Sequence, residues 1–168
     1  MRLILIRHGI AEDRDAFAES GEDDALRPLT RLGRRKIKLA AKGLRRLYGK
    51  IDLLATSPFT RAAQTAAIIF KAYDDRPAFV ELPLLATDLS PREIVAWLKH
   101  HDLDTSTVAL VGHEPSLSRL AGWLTGGHEK SIVRMKKGAV CAIDFAGGAA
   151  LGKGVLSGLY QPGDLRRI

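Results

Sequence analysis

The sequence predicts an α/β fold: a three-layer α/β/α sandwich around a mainly parallel central sheet, with an antiparallel C-terminal hairpin at one edge. Three observations carry this expectation. Short apolar runs recur at Leu3 to Ile6, Leu53 to Ala55 and Val108 to Val111, each the length of a buried strand. Segments with apolar residues at the 3.6-residue helical period stand between them. Strands alternating with helices build parallel sheets, because a parallel crossover is usually a helix. At 168 residues, 46% hydrophobic and 27% charged, the chain is expected to form one domain over 1–168. It is too short for a large cap insertion.

The elements follow in order. Residues 2–7 read as the first strand, and the polar stretch 10–29 reads as a loop. Thr30 is placed to cap a helix over about 31–48, whose apolar stripe is Ile37, Ala40, Ala41, Leu44, Leu47 and Tyr48. Residues 52–56 form a second strand. Ser57-Pro58 reads as an N-cap and first helical proline, opening a helix to about Tyr73. A third short strand falls within 79–85. Ser90-Pro91-Arg92-Glu93 combines an N-cap, an N1 proline and a capping-box glutamate for a helix to about His101. Thr107 to Val111 is the strongest strand. Gly112-His113-Glu114-Pro115 follows it, and a helix runs from Ser116 to about Leu124. Strands near 138–145 and 154–160, with a glycine-rich connection, form the hairpin. Gly147 and Gly152-Lys153 in that connection imitate a phosphate-binding loop. Gly154 replaces the required hydroxyl residue, however, and a strand follows instead of a helix.

Composition excludes several classes. A single cysteine, Cys141, rules out an internal disulfide; in the run Ala139 to Ile143 it reads as a buried core thiol. No apolar run is long enough to span a membrane. The first run breaks at Arg7-His8 before any signal-peptide core, so a cytoplasmic protein is expected. The net charge of +7 is unevenly placed. Glu12 to Asp24 holds seven acids and one base, and Arg27 to Lys50 holds ten bases and no acid. The basic stretch reads either as a surface for an acidic partner or as a solvated helix face beside the acidic loop.

In parallel sheets, ligands bind beyond the carboxyl ends of the strands. Arg7-His8-Gly9 sits just past the first strand, Arg61 in the first turn after the second, and His113 just past the strongest. Arginine offers a charged planar fork, histidine a nitrogen that is neutral and nucleophilic near neutral pH, and helix N-termini add free N–H groups. A cation in a first helical turn is disfavoured unless an anion lies nearby, so Arg61 itself points to one. Together these groups predict a phosphoryl group held by cations and attacked by histidine. Gly9 permits a sharp turn or close approach of a ligand. Arg27 either binds substrate phosphate or pairs with the acidic loop. Ser57 reads as a cap, and His100, His101 and His128 as surface residues. No cluster has metal-ligand spacing and no Gly-x-Ser-x-Gly elbow exists, so neither metal nor cofactor is expected.

Arg7-His8-Gly9, Arg27-Pro28-Leu29-Thr30 with Gly33, Ser57-Pro58-x-x-Arg61-Ala62-x-Gln64-Thr65, and Gly112-His113 with Pro115 together resemble the histidine phosphatase superfamily. Among its branches, the small size and the Arg27 to Thr30 element are most similar to the SixA-type phosphohistidine phosphatases. The resemblance implies that His8 is a transiently phosphorylated nucleophile and that Arg7, Arg61 and His113 line the phosphate pocket. It also implies, for phosphomonoesterases, a carboxylate that protonates the leaving alkoxide. Asp88, Glu12 and Glu114 are the candidates here, none with a strong signature. Imidazole leaves more readily than an alkoxide, so a weak acid fits a phosphohistidine-containing protein, acidic if the basic helix assists docking. The alternative is a small phosphorylated substrate, with Asp88 or Glu12 as acid. A third reading, a nucleic-acid binder using 27–50, is poorly served, since only Tyr48 could stack on bases there.

Overall fold

The computed structural model describes residues 1–86, 90–128 and 130–168. Its strands are β1 (Arg2–Arg7), β2 (Leu53–Thr56), β3 (Ala78–Glu81), β4 (Thr107–Gly112), β5 (Val140–Asp144) and β6 (Val155–Tyr160). They form one sheet in the order β3-β2-β4-β1-β5-β6. The first four strands in that order run parallel, and β5 and β6 add the antiparallel hairpin. The helices are α1 (Arg14–Ala18), α2 (Arg31–Leu47), α3 (Thr60–Phe70), α4 (Pro91–His100), α5 (Ser116–Gly126) and α6 (Pro162–Leu165).

Alternation along the central strands builds the three layers. Leu3 and Leu5 of β1, Val108 and Leu110 of β4, and Cys141 and Ile143 of β5 face one side, where Ile94, Leu98, Leu117 and Leu120 of α4 and α5 cover them. Ile4 and Ile6, Ala109 and Val111, and Val140 and Ala142 face the other side. There they meet Ile37, Ala40 and Leu44 of α2, Ala62, Ala66 and Ile69 of α3, and Leu165 of α6. Both faces are buried, so β1 reads as a continuous apolar run, as parallel strands do. Each leucine, isoleucine or valine among them stabilises the fold by roughly 1.5–3 kcal/mol over exposure. Cys141 is buried, and burial pushes its thiol up to about 12, which keeps it an inert core group. Among the described residues no helix is long and apolar enough to cross a membrane.

Several sequence expectations need correction. The stretch 10–29 is not all loop: Asp13 accepts from the N–H groups of Asp15 and Ala16 and caps α1, and Asp23 caps a short 3-10 turn at Asp24–Leu26. α3 starts at Thr60, not Pro58, and ends at Phe70. The third strand is only Ala78–Glu81, after which Pro83 opens a 3-10 turn over Pro83–Leu85. The short C-terminal α6 was not foreseen; it is closed by a capping box between Gln161 and Asp164. Thr30 does cap α2, accepting from the Gly33 N–H at 2.9 Å. Ser90 caps α4 through the Glu93 N–H.

Sheet register fixes the functional edge. Arg7 pairs with Gly112 and Thr56 with Val111, so β1, β2 and β4 end level. His8, Ser57 and His113 are the first residues beyond those three strands. The His8 N–H donates to the Gly112 carbonyl at 3.0 Å and the Ser57 N–H to the Val111 carbonyl at 2.9 Å.

Candidate active site

Beyond the level ends of β1, β2 and β4 lies a cleft of about 490 Å³ lined by Arg7, His8, Arg61 and His113, with Arg14, Arg27 and Lys137 adding charge. His8, Arg61 and His113 are 6%, 5% and 8% exposed, so each charge or lone pair there acts in a partly dehydrated site. The His8 and His113 rings lie 5.1 Å apart between centroids.

His8 is held in one tautomer. Its Nδ1 lies 2.7 Å from the Gly9 carbonyl. A carbonyl oxygen only accepts, so Nδ1 carries the hydrogen and Nε2 keeps its lone pair. Burial, then the charges of His113, Arg61 and Arg7, push the imidazole down to about 3, against a smaller opposing pull from the Gly9 hydrogen bond. Burial, ahead of the flanking arginines, is what keeps His8 neutral. His113 is likewise pushed down to about 4, by burial and then by Arg61.

Ser57 is the clearest miss of the sequence reading. It caps nothing in α3, whose N-cap is Phe59 without a side-chain bond. Its hydroxyl instead meets His113 Nε2 at 2.8 Å and accepts weakly from the Phe59 N–H at 3.3 Å. The two extra residues before the helix carry the chain from β2 past His113. The spacing Ser-Pro-x-x-Arg was visible in the sequence, but it fits a proline-led helix equally well.

Gly9 also has a different role from the one expected. Its N–H donates to Thr65 Oγ1 at 3.0 Å, and the Thr65 hydroxyl donates to the Arg61 carbonyl at 2.7 Å. The Gly9 N–H is therefore committed to the protein. A Cβ at Gly9 would lie 2.7 Å from Ile37 Cγ1; glycine is needed there for close packing against α2.

A segment far from the motifs braces the site. Arg7 Nη1 donates to the Met135 carbonyl at 2.7 Å. Gly138, at a φ of 87° that favours glycine, donates its N–H to the carbonyls of Arg7 and His8 at 3.1 and 3.0 Å. No composition signal marks Met135 and Gly138 for this role, because it is made by a backbone carbonyl and a backbone N–H.

The acidic loop organises the arginines. Asp24 accepts from Arg27 Nε at 2.7 Å and from Arg61 Nη2 at 3.0 Å, with Arg14 at 3.6 Å. Its backbone carbonyl accepts from Arg61 Nη1 at 2.7 Å. Arg27, whose two readings were left open, pairs with this loop and also lines the cleft. Burial pushes the Asp24 carboxyl up, but the Arg27 hydrogen bond and the charges of Arg61 and Arg27 outweigh it and bring it down to about 2. An ordinary carboxyl lies near 3.8. These ion pairs therefore stabilise the fold fully above about pH 4 and are lost as pH falls through about 2. Asp24→Asn should lower the melting temperature at pH 6 and leave it unchanged near pH 2, and it should reduce kcat/KM about tenfold by loosening Arg61. An equal stability gap at both pH values would contradict the ion-pair account.

Burial lowers the proton affinity of Arg7 and Arg61, yet a guanidinium stays charged at neutral pH. Arg7 Nε, Arg61 Nε and His113 Nδ1 are buried without a partner among the described residues. Three nitrogens able to donate, on two cations and an imidazole, suit a tetrahedral oxyanion rich in acceptors. Of the candidate acids, Glu12 is exposed in the cleft wall. Glu114 also lines the cleft, but its two oxygens accept from the Ser118 N–H and hydroxyl at 3.1 and 2.7 Å. Asp88 lies outside the described residues. Among the described residues no group of His, Cys, Asp and Glu could hold a metal ion.

Residues 3–85 match the family model of the histidine phosphatase superfamily (branch 1). An uncharacterized protein of Picosynechococcus sp. is 35% identical over 158 residues, covering 89% of this chain and 87% of that protein. The protein histidine phosphatase SixA, solved with tungstate, superposes with a TM-score of 0.81 at 23% identity over 98% of this chain and 99% of that one. A putative alpha-ribazole-5'-P phosphatase from Escherichia coli K-12 superposes at 0.70 with 19% identity over 96% and 98% of the two chains. At those identities the two solved structures speak for the fold.

Proposed function

We propose, from the premise that the chain belongs to the histidine phosphatase superfamily, that this phosphatase works through a phosphohistidine on His8 and acts on phosphohistidine in a protein. The observation that carries the reading is the committed tautomer of His8, with Nδ1 bonded to Gly9 and Nε2 free. A buried neutral imidazole with a fixed lone pair, between two arginines, is an activated nucleophile.

In the first step Nε2 of His8 forms a bond to phosphorus as the phosphorus–nitrogen bond of the substrate breaks. The departing imidazole keeps the electron pair and takes a proton. In the second step water attacks phosphorus, the His8–phosphorus bond breaks, and inorganic phosphate leaves with the proton balance restored by solvent. Arg7 and Arg61 offset charge on the equatorial oxygens. A Ser57 hydroxyl that donates to His113 Nε2 leaves the ring hydrogen on Nδ1, the nitrogen without a partner among the described residues.

Two things support the phosphoramidate substrate. Glu114 is engaged with Ser118 and Glu12 is exposed, so a dedicated buried acid is missing among the described residues. The chain is also short, which leaves the cleft open to a histidine displayed on a protein surface. The experiment is a side-by-side assay of a phosphohistidine protein, a sugar phosphate and p-nitrophenyl phosphate, with wild type and Glu12→Gln. Phosphohistidine should be preferred, and Glu12→Gln should leave its turnover nearly unchanged. A sugar phosphate turned over faster, with a loss of about 10²–10⁴-fold in Glu12→Gln, would mark an acid-assisted phosphomonoesterase instead.

The imidazoles give a second check. Burial opposes the cation, so both rings stay neutral to a lower pH than an ordinary histidine. NMR titration of the free enzyme should find His8 and His113 neutral throughout pH 5 to 8, with midpoints near 3 and 4. A midpoint near 6.5 for His8 would remove the activation argument.

A further inference from the structure

A second cavity of the molecule is larger than the catalytic cleft. It is a groove of about 920 Å³ between α2 and α3, lined by Arg34, Lys38, Lys42, Arg45, Arg46 and Lys71 over Gln64, Ala67, Ile68 and Ala72. No acid lines it. We propose that this groove docks an acidic amphipathic helix of the phosphoprotein substrate, beside the catalytic cleft. The proposal rests on the reading that the substrate is a protein.

Charge is the first argument. α2 carries eight cations and no acid. Arg34, Lys38, Lys42 and Arg46 follow one another at i, i+4 spacing, which sets like charges side by side and destabilises a helix. A merely solvated helix face ordinarily mixes signs at that spacing. The acidic loop does not neutralise the stripe: Asp24 pairs with Arg14, Arg27 and Arg61. Within the groove Arg45 pairs with Asp74 and Arg46 meets the Ile168 carbonyl. Arg34, Lys38, Lys42 and Lys71 have no ion pair among the described residues.

Position is the second argument. Arg61, Gln64, Ile68 and Lys71 recur on one face of α3. Arg61 lines the catalytic cleft, and the other three line the groove. From Gln64 to Lys71 the groove thus follows α3 for about 10 Å away from the chemistry, the span of about two turns of a docked helix. Gln64, one turn beyond Arg61, accepts from the Leu29 N–H at 2.8 Å at the near end of the groove. Chemistry chooses the occupant. Cations on the rim call for carboxylates, and the floor of Ala67, Ile68 and Ala72 calls for an apolar stripe, the arrangement of a helix laid in a groove. No aromatic residue lines the groove, so stacking of nucleic-acid bases is not provided for.

The test compares the full chain with Lys38→Glu/Lys42→Glu and with Lys71→Glu, all exposed positions away from the catalytic cleft. Substrates are free phosphohistidine, a phosphohistidine peptide with an acidic amphipathic helix, and the same peptide with lysine for glutamate. The acidic peptide should lose about tenfold or more in kcat/KM in the double variant and in high salt. Free phosphohistidine should be hydrolysed equally by all three proteins. Equal turnover of the acidic peptide by all three would overturn the proposal. Failure of the wild type on every phosphohistidine substrate would refute the functional reading alone. Fluorescence anisotropy with the unphosphorylated acidic peptide then still reads the groove. Binding lost in Lys38→Glu/Lys42→Glu supports docking, and binding absent or unchanged overturns it. Duplex DNA binding more tightly than the peptide, with the same sensitivity to the variants, would also overturn it.

Discussion

His8→Ala is expected to lose roughly 10⁴-fold or more in kcat and to form no acid-labile phosphoenzyme, since it removes the atom that accepts the phosphoryl group. The residual rate would come from binding and charge stabilisation by Arg7 and Arg61 alone. Folding should survive. His8 lies past the end of β1, its backbone bond to Gly112 does not need the side chain, and the ring's hydrogen bond is to its neighbour Gly9. A far-ultraviolet spectrum and melting curve close to wild type would exclude collapse as the cause. Rapid quench with a ³²P-labelled substrate reads the intermediate directly. Wild type should accumulate label that is lost in acid and kept in alkali. Near-normal turnover by His8→Ala, or label retained in it, would end the nucleophile assignment.

Arg61→Ala is expected to cost about 10³-fold in kcat, the scale of an arginine that stabilises a transferring phosphoryl group. The loss should fall mainly on kcat, because charge on the equatorial oxygens is rearranged in the transition state. Arg61→Lys should recover only part of it. Lysine keeps the charge but cannot reproduce the planar fork that holds Asp24 through both its carboxylate and its carbonyl while leaving Nε free. Full rescue by lysine would mean that Arg61 supplies charge without geometry. An effect confined to KM would place it in ground-state binding. The variant also frees Asp24 from one of its cations, so the Asp24 carboxyl should rise from its depressed value while Arg27 still holds it. Measuring that rise beside the kinetics separates the ion-pair role of Arg61 from its role toward phosphate.

Signals confined to one stretch of chain were legible. The apolar runs, the Thr30 cap and the 3.6-residue stripe of α2 are written in neighbouring residues, and the structure places them where the pattern does. Arg7, His8, Arg61 and His113 could be grouped before any coordinates, because each stands at the end of a strand or in the first turn of the helix after one, and parallel strands end at one edge. Where two local readings fitted equally, the sequence misled. Ser57-Pro58 looks like the start of a helix, yet α3 starts two residues later and the serine turns to His113. Asp13 and Asp23 belong to an acidic run that looks unstructured, yet each caps a short turn.

The sequence by itself determined the six strands and the four long helices in their order along the chain, the parallel sheet, and the four residues that meet at its edge, because all of these follow from periodicity and position along one chain. Only the tertiary structure decided which nitrogen of His8 is free, that Asp24 holds three arginines, that residues 130–138 brace Arg7, and that the basic face of α2 forms one wall of a groove. Each of these depends on atoms brought together from distant parts of the chain, through carbonyls and carboxylates whose partners no local pattern names. Burial, too, exists only in the folded molecule, and it is burial above all that keeps the two imidazoles neutral.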